Sequence, residues 1–284
     1  MTSSERKVAL ITGATDGIGR ETARLLSEVG WRVIVHGRNV DRVAAATDYL
    51  RGAVPDGHFE PVTADLAALC QVEALAEWLL GYCDPLDALV NNAGVFTSTS
   101  VADVRTESAD GFELTWAVNY LAPFALTLKV LPLLLSAKQC QVLNVGSSAH
   151  LRGELCWHDL QCRQHWDRMA AYAQSKLAIA MFTVELSERC AGTPVTVNVA
   201  SPGYTATKMV RDGLGGPALP VEEGAANIAQ LLLETRWAAR SGCYIDQAVV
   251  REPHPLVSDR LARRRLWRIS AAQAATHDPM STIE

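Results

Sequence analysis

Short apolar runs at positions 8–12, 32–36, 59–63, 88–91, 141–145, 195–200 and 243–245 alternate with longer amphipathic stretches at 17–29, 40–51, 69–83, 111–135, 170–190 and 221–235. The short runs are rich in Val, Ile and Leu and too brief for stable helices, so they read as buried strands. The stretches between them carry apolar residues at helical spacing. This alternation predicts parallel β-α-β units, that is, an α/β fold with a doubly wound parallel sheet and helices on both faces. Ligands of such sheets sit at the carboxyl ends of the strands. No repeat, low-complexity tract or Pro/Gly/Ser-rich linker divides the chain. We therefore expect a single domain over residues 1–250 and a tail of helical tendency over 251–284.

Composition narrows the classes of function. The 284 residues, 49% of them apolar, suffice for one large core. A net charge of −5 offers no electrostatic footprint for nucleic acid or an anionic membrane. The basic run Arg263, Arg264 and Arg265 reads as a solvated helix face. The most apolar stretch, 121–135, is interrupted by Pro123, Lys129 and Pro132 and reads as a buried helix. Residues 1–7 are polar and no hydrophobic signal follows them, so no membrane anchor and a cytoplasmic location are expected. The seven cysteines form no C-x-x-C pair, and the histidines show no H-E-x-x-H spacing. Free thiols and no metal site are expected.

The candidate chemistry lies at the strand ends. Gly13, Ala14, Thr15, Asp16, Gly17, Ile18 and Gly19 follow the first strand and open the first helix. Glycines let the backbone turn sharply beside a pyrophosphate, and the helix N-terminus supplies free N–H donors and a positive dipole end. A plain tight turn would also use Gly13 and Gly17, but the strand before and the helix after favour a nucleotide site. The second strand runs into His36, Gly37, Arg38 and Asn39 with no acid to accept from a ribose 2′-hydroxyl. Arg38 can instead meet a 2′-phosphate, which favours NADP(H); the alternative is an ordinary exposed arginine. Asp65 and Leu66 can hold an adenine edge, or Asp65 can cap a helix. Asn92, Ala93 and Gly94 let the fourth strand's end pass close to a cofactor. Tyr172 and Lys176 stand four apart, on one helix face. A nearby ammonium favours phenolate and would lower the tyrosine pKa toward the range useful for proton transfer.

Together these residues resemble the short-chain dehydrogenase/reductase family in its compact single-domain, Rossmann-type form. The resemblance spans about 7–245: T-G-x-x-x-G-x-G at 12–19, N-N-A-G at 91–94, Ser147 and Ser148, Y-x-x-x-K at 172–176, and P-G at 202–203 occur in the family's order. It implies that Tyr172 is the general acid or base and that Lys176 tunes it and holds the nicotinamide ribose. Ser148, with Ser147 as rival, would polarise the substrate carbonyl, and Asn119 would support a proton relay. Pro202, Gly203, Thr205 and Thr207 would line the cofactor, Thr207 at the carboxamide. Ser148 and Tyr172 lie 24 apart, wider than in many members. The added segment 150–168, with Trp157, His158 and Trp166, is similar to the retinol-dehydrogenase-like branch, which implies NADP(H) and lipophilic substrates. Residues 208–219 are read as part of a substrate lid, and Phe96, Trp116, Trp157 and Trp166 as ring-binding or core positions.

The expected function is NADP(H)-dependent interconversion of a carbonyl and an alcohol on a small, lipophilic or ring-containing substrate. The family also implies a homo-oligomer, a dimer or tetramer. The alternatives are an NADP(H)-binding sensor or scaffold, and an NAD-dependent epimerase or dehydratase. The second fits poorly with three residues between Gly13 and Gly17 and only about forty after Ile245.

Overall fold

Each apolar run becomes a strand of one sheet in the computed structural model, which describes residues 6–96, 104–213 and 215–275. The strands are β1 (Val8–Ile11), β2 (Arg32–Gly37), β3 (His58–Thr63), β4 (Ala88–Asn91), β5 (Cys140–Val145), β6 (Val195–Ser201), β7 (Tyr244–Asp246) and β8 (Val249–Arg251). Their order is β3-β2-β1-β4-β5-β6-β7-β8; every pairing is parallel except the last. Alternate residues of a strand point to opposite faces. Thus Val8 and Leu10 join the core beneath α3 (Leu69–Tyr82), α5 (Ala122–Lys129) and α7 (Arg168–Arg189), while Ala9 and Ile11 pack under α1 (Gly17–Glu28), α2 (Val40–Ala53) and α9 (Val221–Leu233). Both faces are covered, which is why β1, β4 and most of β2 and β5 are continuously buried rather than half polar. Among the described residues no helix is long and apolar enough to cross a membrane.

Stretch 111–135 is not one helix. It forms α4 (Leu114–Trp116), a wide π turn (Ala117–Leu121), α5, and then, after Val130, α6 (Leu131–Ser136). Two prolines account for the breaks: Pro123 has no N–H for the Asn119 carbonyl, and Pro132 has none for that of Leu128. The π turn carries Asn119, and such turns recur at functional positions.

The tail differs more. The expected boundary at 250 falls inside β8, which closes the sheet edge as an antiparallel strand. Next come α10 (Pro255–Ser258) and α11 (Arg260–Gln273). Trp267 of α11 is buried against Phe124 and Phe182, with ring centroids 5.1 and 5.8 Å away. The basic run is not a uniformly solvated face. Arg263 is 3% exposed and pairs with Glu185 at 3.4 Å and with Glu188, while Arg265 lies over the Trp157 ring. Arg264 and Arg265 are the exposed members. Helical periodicity alone could not show this, because the carboxylates that pull Arg263 inward lie on α7.

Candidate active site

The glycine turn between β1 and α1 is built for close approach. Gly13 has φ +66°, and a Cβ there would stand 2.8 Å from the Ala93 Cα. At Gly19 a Cβ would stand 2.4 Å from Asn92 Nδ2. That amide donates to the carbonyls of Thr12 (2.8 Å) and Gly13 (3.2 Å). Thr12 Oγ1 in turn accepts from the N–H groups of Asn92 and Ala93, each at 3.0 Å. Asp16 caps α1 by accepting from Gly17 N at 2.8 Å, leaving the helix N-terminus open toward the cavity. Of the supports of this turn, Thr12 heads the T-G-x-x-x-G-x-G motif, whereas the role of His36 escaped the sequence reading. His36 is buried: its Nδ1 accepts from Gly13 N at 3.2 Å, and its Nε2 donates to the Ala64 carbonyl at 3.0 Å. Burial pushes its pKa down to about 4, so the ring stays neutral and ties the ends of β1, β2 and β3 together. Nothing in a lone histidine at a strand end signals this; the partners are tertiary.

Beyond β2, Gly37 leaves room for Thr15, whose Cγ2 would stand 2.3 Å from a Cβ there. Arg38 and Arg42 both line the cavity, and Arg42 is a second cation the sequence reading missed. Asn39 does not line it; its side chain caps α2 by accepting from Arg42 N at 2.9 Å. Asp65 lines the cavity with Leu66. It is not a helix cap: its carboxylate accepts from Ala67 N at 3.0 Å, and the N-cap of α3 is Ala68.

The cavity, about 930 Å³, continues past the ends of β4, β5 and β6. Gly13, Thr15, Asp16, Gly17, Ile18, Gly19, Asn92, Ala93 and Gly94 line it on one side; Ser147, Ser148, Tyr172, Lys176, Pro202, Gly203, Thr205 and Thr207 line it on the other. Thr207 also accepts from Val210 N at 3.4 Å, opening α8 (Lys208–Gly213). Asn119 lies behind the wall. Its Oδ1 accepts from Val95 N (2.7 Å), and its Nδ2 donates to Val95 O (3.0 Å) and Ser175 Oγ (3.1 Å).

Tyr172 and Lys176 share the inner face of α7, and both are buried. The expectation that the ammonium lowers the phenol pKa does not describe this arrangement. Burial pushes the Tyr172 phenol up, and the opposing influence is a hydrogen bond with Ser147. Lys176 Nζ donates to the Val145 carbonyl at 2.8 Å and stands 5.7 Å from the Tyr172 ring centroid. Burial pulls its pKa down to about 8. Both serines line the cavity. Ser147 is the serine whose hydroxyl opposes the rise of the phenol pKa; Ser148 is more exposed, on the 3-10 turn (Ser148–Arg152) that Ser147 caps by accepting from Ala149 N at 3.2 Å.

None of the three tryptophans considered as ring-binding lines the cavity. Trp116 is wholly buried beside Tyr120, Trp157 lies under Arg265, and Trp166 donates to Glu113 Oε1 at 3.3 Å. Phe96 stands edge-on to Tyr172, centroids 5.2 Å apart. The middle of the added segment 150–168 thus packs as scaffold, with Gln161 bridging Arg105 and Glu113, while its ends, Leu151, Arg152 and Asp167, line the cavity. The apolar part of the cavity comes from Val95, Leu151, Met169, Met209 and Val210, the last two on α8 in the expected lid region; Leu214 lies outside the described residues. Among the described residues no three His, Cys, Asp or Glu side chains group to hold a metal ion.

Residues 7–214 match the family model for short chain dehydrogenase. Polyprenol dehydrogenase of Mus musculus is 36% identical over 280 residues, 92% of this chain and 82% of that protein. Retinol dehydrogenase 13 of Homo sapiens is 32% identical over 96% of this chain and 86% of its own length. Among solved structures, an uncharacterised protein from Mycobacterium paratuberculosis superposes with a TM-score of 0.77 at 30% identity, covering 97% of this chain and 95% of that one. The Pseudomonas aeruginosa RhlG/NADP active-site complex superposes with a TM-score of 0.68 at 27% identity, covering 84% and 94%. With the glycine turn, the buried Tyr172–Lys176 pair and the doubly wound sheet, these likenesses settle the family: the chain is an oxidoreductase of the short-chain dehydrogenase/reductase family, in its retinol-dehydrogenase-like branch.

Proposed function

We propose that this protein uses NADP(H) to interconvert a carbonyl and an alcohol on a lipophilic substrate, with Tyr172, Lys176, Ser147 and Asn119 as its catalytic set. The observation that carries the reading is that Tyr172, Ser147 and Lys176 line the same cavity as the glycine turn. The cofactor fits on this chain's own geometry: Cβ atoms at Gly13 and Gly19 would crowd backbone or Asn92, and the α1 N-terminus opens beside them. Arg38 and Arg42 would hold a 2′-phosphate, and Asp65 and Leu66 the adenine. Thr207 would meet the carboxamide and Lys176 the ribose. When bound, NADPH supplies a hydride.

The chain's residues do the rest. Ser147 donates to the substrate oxygen as charge develops on it. Tyr172, held protonated by burial, gives that oxygen its proton, and Lys176 stabilises the phenolate left behind. Asn119 holds the Val95 backbone and Ser175 in place behind the lysine. We assign these roles to residues 1–250 and a supporting role to residues 251–284. The apolar lining by Leu151, Met169, Met209 and Val210 supports a lipophilic substrate, as do relatives named for polyprenol and retinol.

Two tests arise here. In fluorescence titrations NADPH is expected to bind at least about tenfold more tightly than NADH, because a charge-assisted contact contributes about 1.5–3 kcal/mol. Arg38→Ala should weaken NADPH by a similar factor and leave NADH nearly unchanged. Equal weakening of both would remove the 2′-phosphate reading, and binding of neither would remove the function. The second test concerns pH. Below about 8 Lys176 carries its proton; above it the ammonium is lost and phenolate is no longer stabilised. Reduction of all-trans-retinal should therefore fall by roughly tenfold per pH unit above 8. Lys176→Arg, charged throughout, should lower the rate but flatten that limb. An unmoved limb would show that another group titrates.

A further inference from the structure

Behind Ser147 stands a buried histidine with both ring nitrogens engaged. His150 is 1% exposed, and its Nδ1 lies 2.7 Å from the Ser147 carbonyl, which also accepts the His150 backbone N–H at 3.1 Å. Its Nε2 accepts from the backbone N–H of His254 at 3.4 Å, and its ring stands edge-on to Tyr244, centroids 4.4 Å apart. A carbonyl only accepts and an N–H only donates, so the two contacts require one state: neutral imidazole with its proton on Nδ1. His254 belongs to the tail. Its own Nδ1 accepts from Leu256 N to open α10, where the Val257 carbonyl accepts from Arg263 Nη1 at 2.9 Å. Arg263 in turn pairs with Glu185 and Glu188 on α7, the helix that carries Tyr172 and Lys176.

We propose that His150 is a positioning residue for Ser147, and that through it the segment 254–263 sets the serine against the tyrosine of α7. The proposal rests on the reading of Ser147 as the group that polarises the carbonyl. Two donors on one carbonyl fix the Ser147 peptide, and hence the direction of its Cα–Cβ bond. Because the far end of the same chain of contacts is anchored on α7, Ser147 and Tyr172 are held in a common frame. The tail then has a task that its position outside the cavity would not suggest.

The test uses the full chain with NADPH and all-trans-retinal. His150→Phe keeps a ring against Tyr244 and removes both nitrogens. It should lower kcat by about tenfold to a hundredfold through misplacement of the serine, with KM and NADPH binding within about twofold. His150→Asn, which returns an N–H near the place of Nδ1, should recover most of the loss. His254→Pro, compatible with the φ of −56° at that position, deletes the tail's N–H and should act like a milder His150→Phe. His254→Asn, which keeps the N–H and a capping oxygen, should not. In a Ser147→Ala background His150→Phe should have no further effect on kcat.

Hydrogen exchange supplies a readout free of catalysis: amides 148–153 should exchange faster in His150→Phe and His254→Pro than in the parent or His254→Asn. Parental kcat in folded His150→Phe overturns the proposal. So does failure of His150→Asn to recover activity, or an undiminished His150→Phe effect in the Ser147→Ala background. If Ser147→Ala itself turns over like the parent, the serine reading fails instead, and the exchange rates alone then decide whether the tail holds this turn.

Discussion

Tyr172→Phe is expected to lower the turnover of all-trans-retinal by about 10³-fold while leaving NADPH affinity within about twofold. The substitution removes one oxygen and nothing else. The ring remains buried on α7 and edge-on to Phe96, so the cavity keeps its shape. What is lost is the proton donor. Burial pushes the phenol above its ordinary value, so at neutral pH the parent holds a protonated phenol beside Ser147. Lys176, which also lines the cavity, already donates to Val145, and the Asp16 and Asp65 carboxylates accept from the backbone of their own loops. None of these stands ready to replace the phenol. Stopped-flow absorbance of NADPH under single-turnover conditions reads the chemical step apart from product release. A variant within tenfold of the parent would mean that another group, or water, supplies the proton.

Different parts of this molecule were legible in the sequence to different degrees, and distance along the chain explains most of the difference. The glycine turn, Asn92 with Ala93 and Gly94, and the Tyr172–Lys176 pair are local patterns whose spacing already states their geometry. The strands were legible because both faces of the sheet are covered, which forces continuous apolar runs. His36 and Arg42 were missed because their work is done across the ends of different strands. Arg263 was misread because its carboxylates lie on another helix. The aromatic residues of 150–168 read equally as ligand contacts or core, and Trp157 and Trp166 are used to fasten the added segment to α11 and to Glu113. The widened turn at Asn119 was foreshadowed by Pro123, a signal present in the sequence but not used to break the helix.

The two serines show the limit most sharply, and they yield the second large effect. Adjacent residues leaving a strand differ in direction, not in chemistry, so composition cannot rank them. Here β5 ends at Val145, whose carbonyl receives Lys176, and a Cβ at Gly146 would point into Val199 at 2.7 Å. The next side chain, Ser147, is the one that acts on the phenol, while Ser148 begins the 3-10 turn and is the more exposed of the two where they line the cavity. Ser147→Ala should lower kcat by about 10²–10³-fold, the range for losing one donor to a developing oxyanion. Ser148→Ala should change it by less than about threefold, since an exposed hydroxyl has water as a ready substitute. Losing Ser147 should also raise the Tyr172 pKa further, because the one influence opposing burial is removed. Phenol difference absorbance across alkaline pH reads that shift without any substrate. A strong effect at Ser148 with none at Ser147 would mean that the turn reorganises when substrate binds. A loss at Ser147 together with a raised phenol pKa would place the serine and the tyrosine in one hydrogen-bonded unit, acting on the same oxygen.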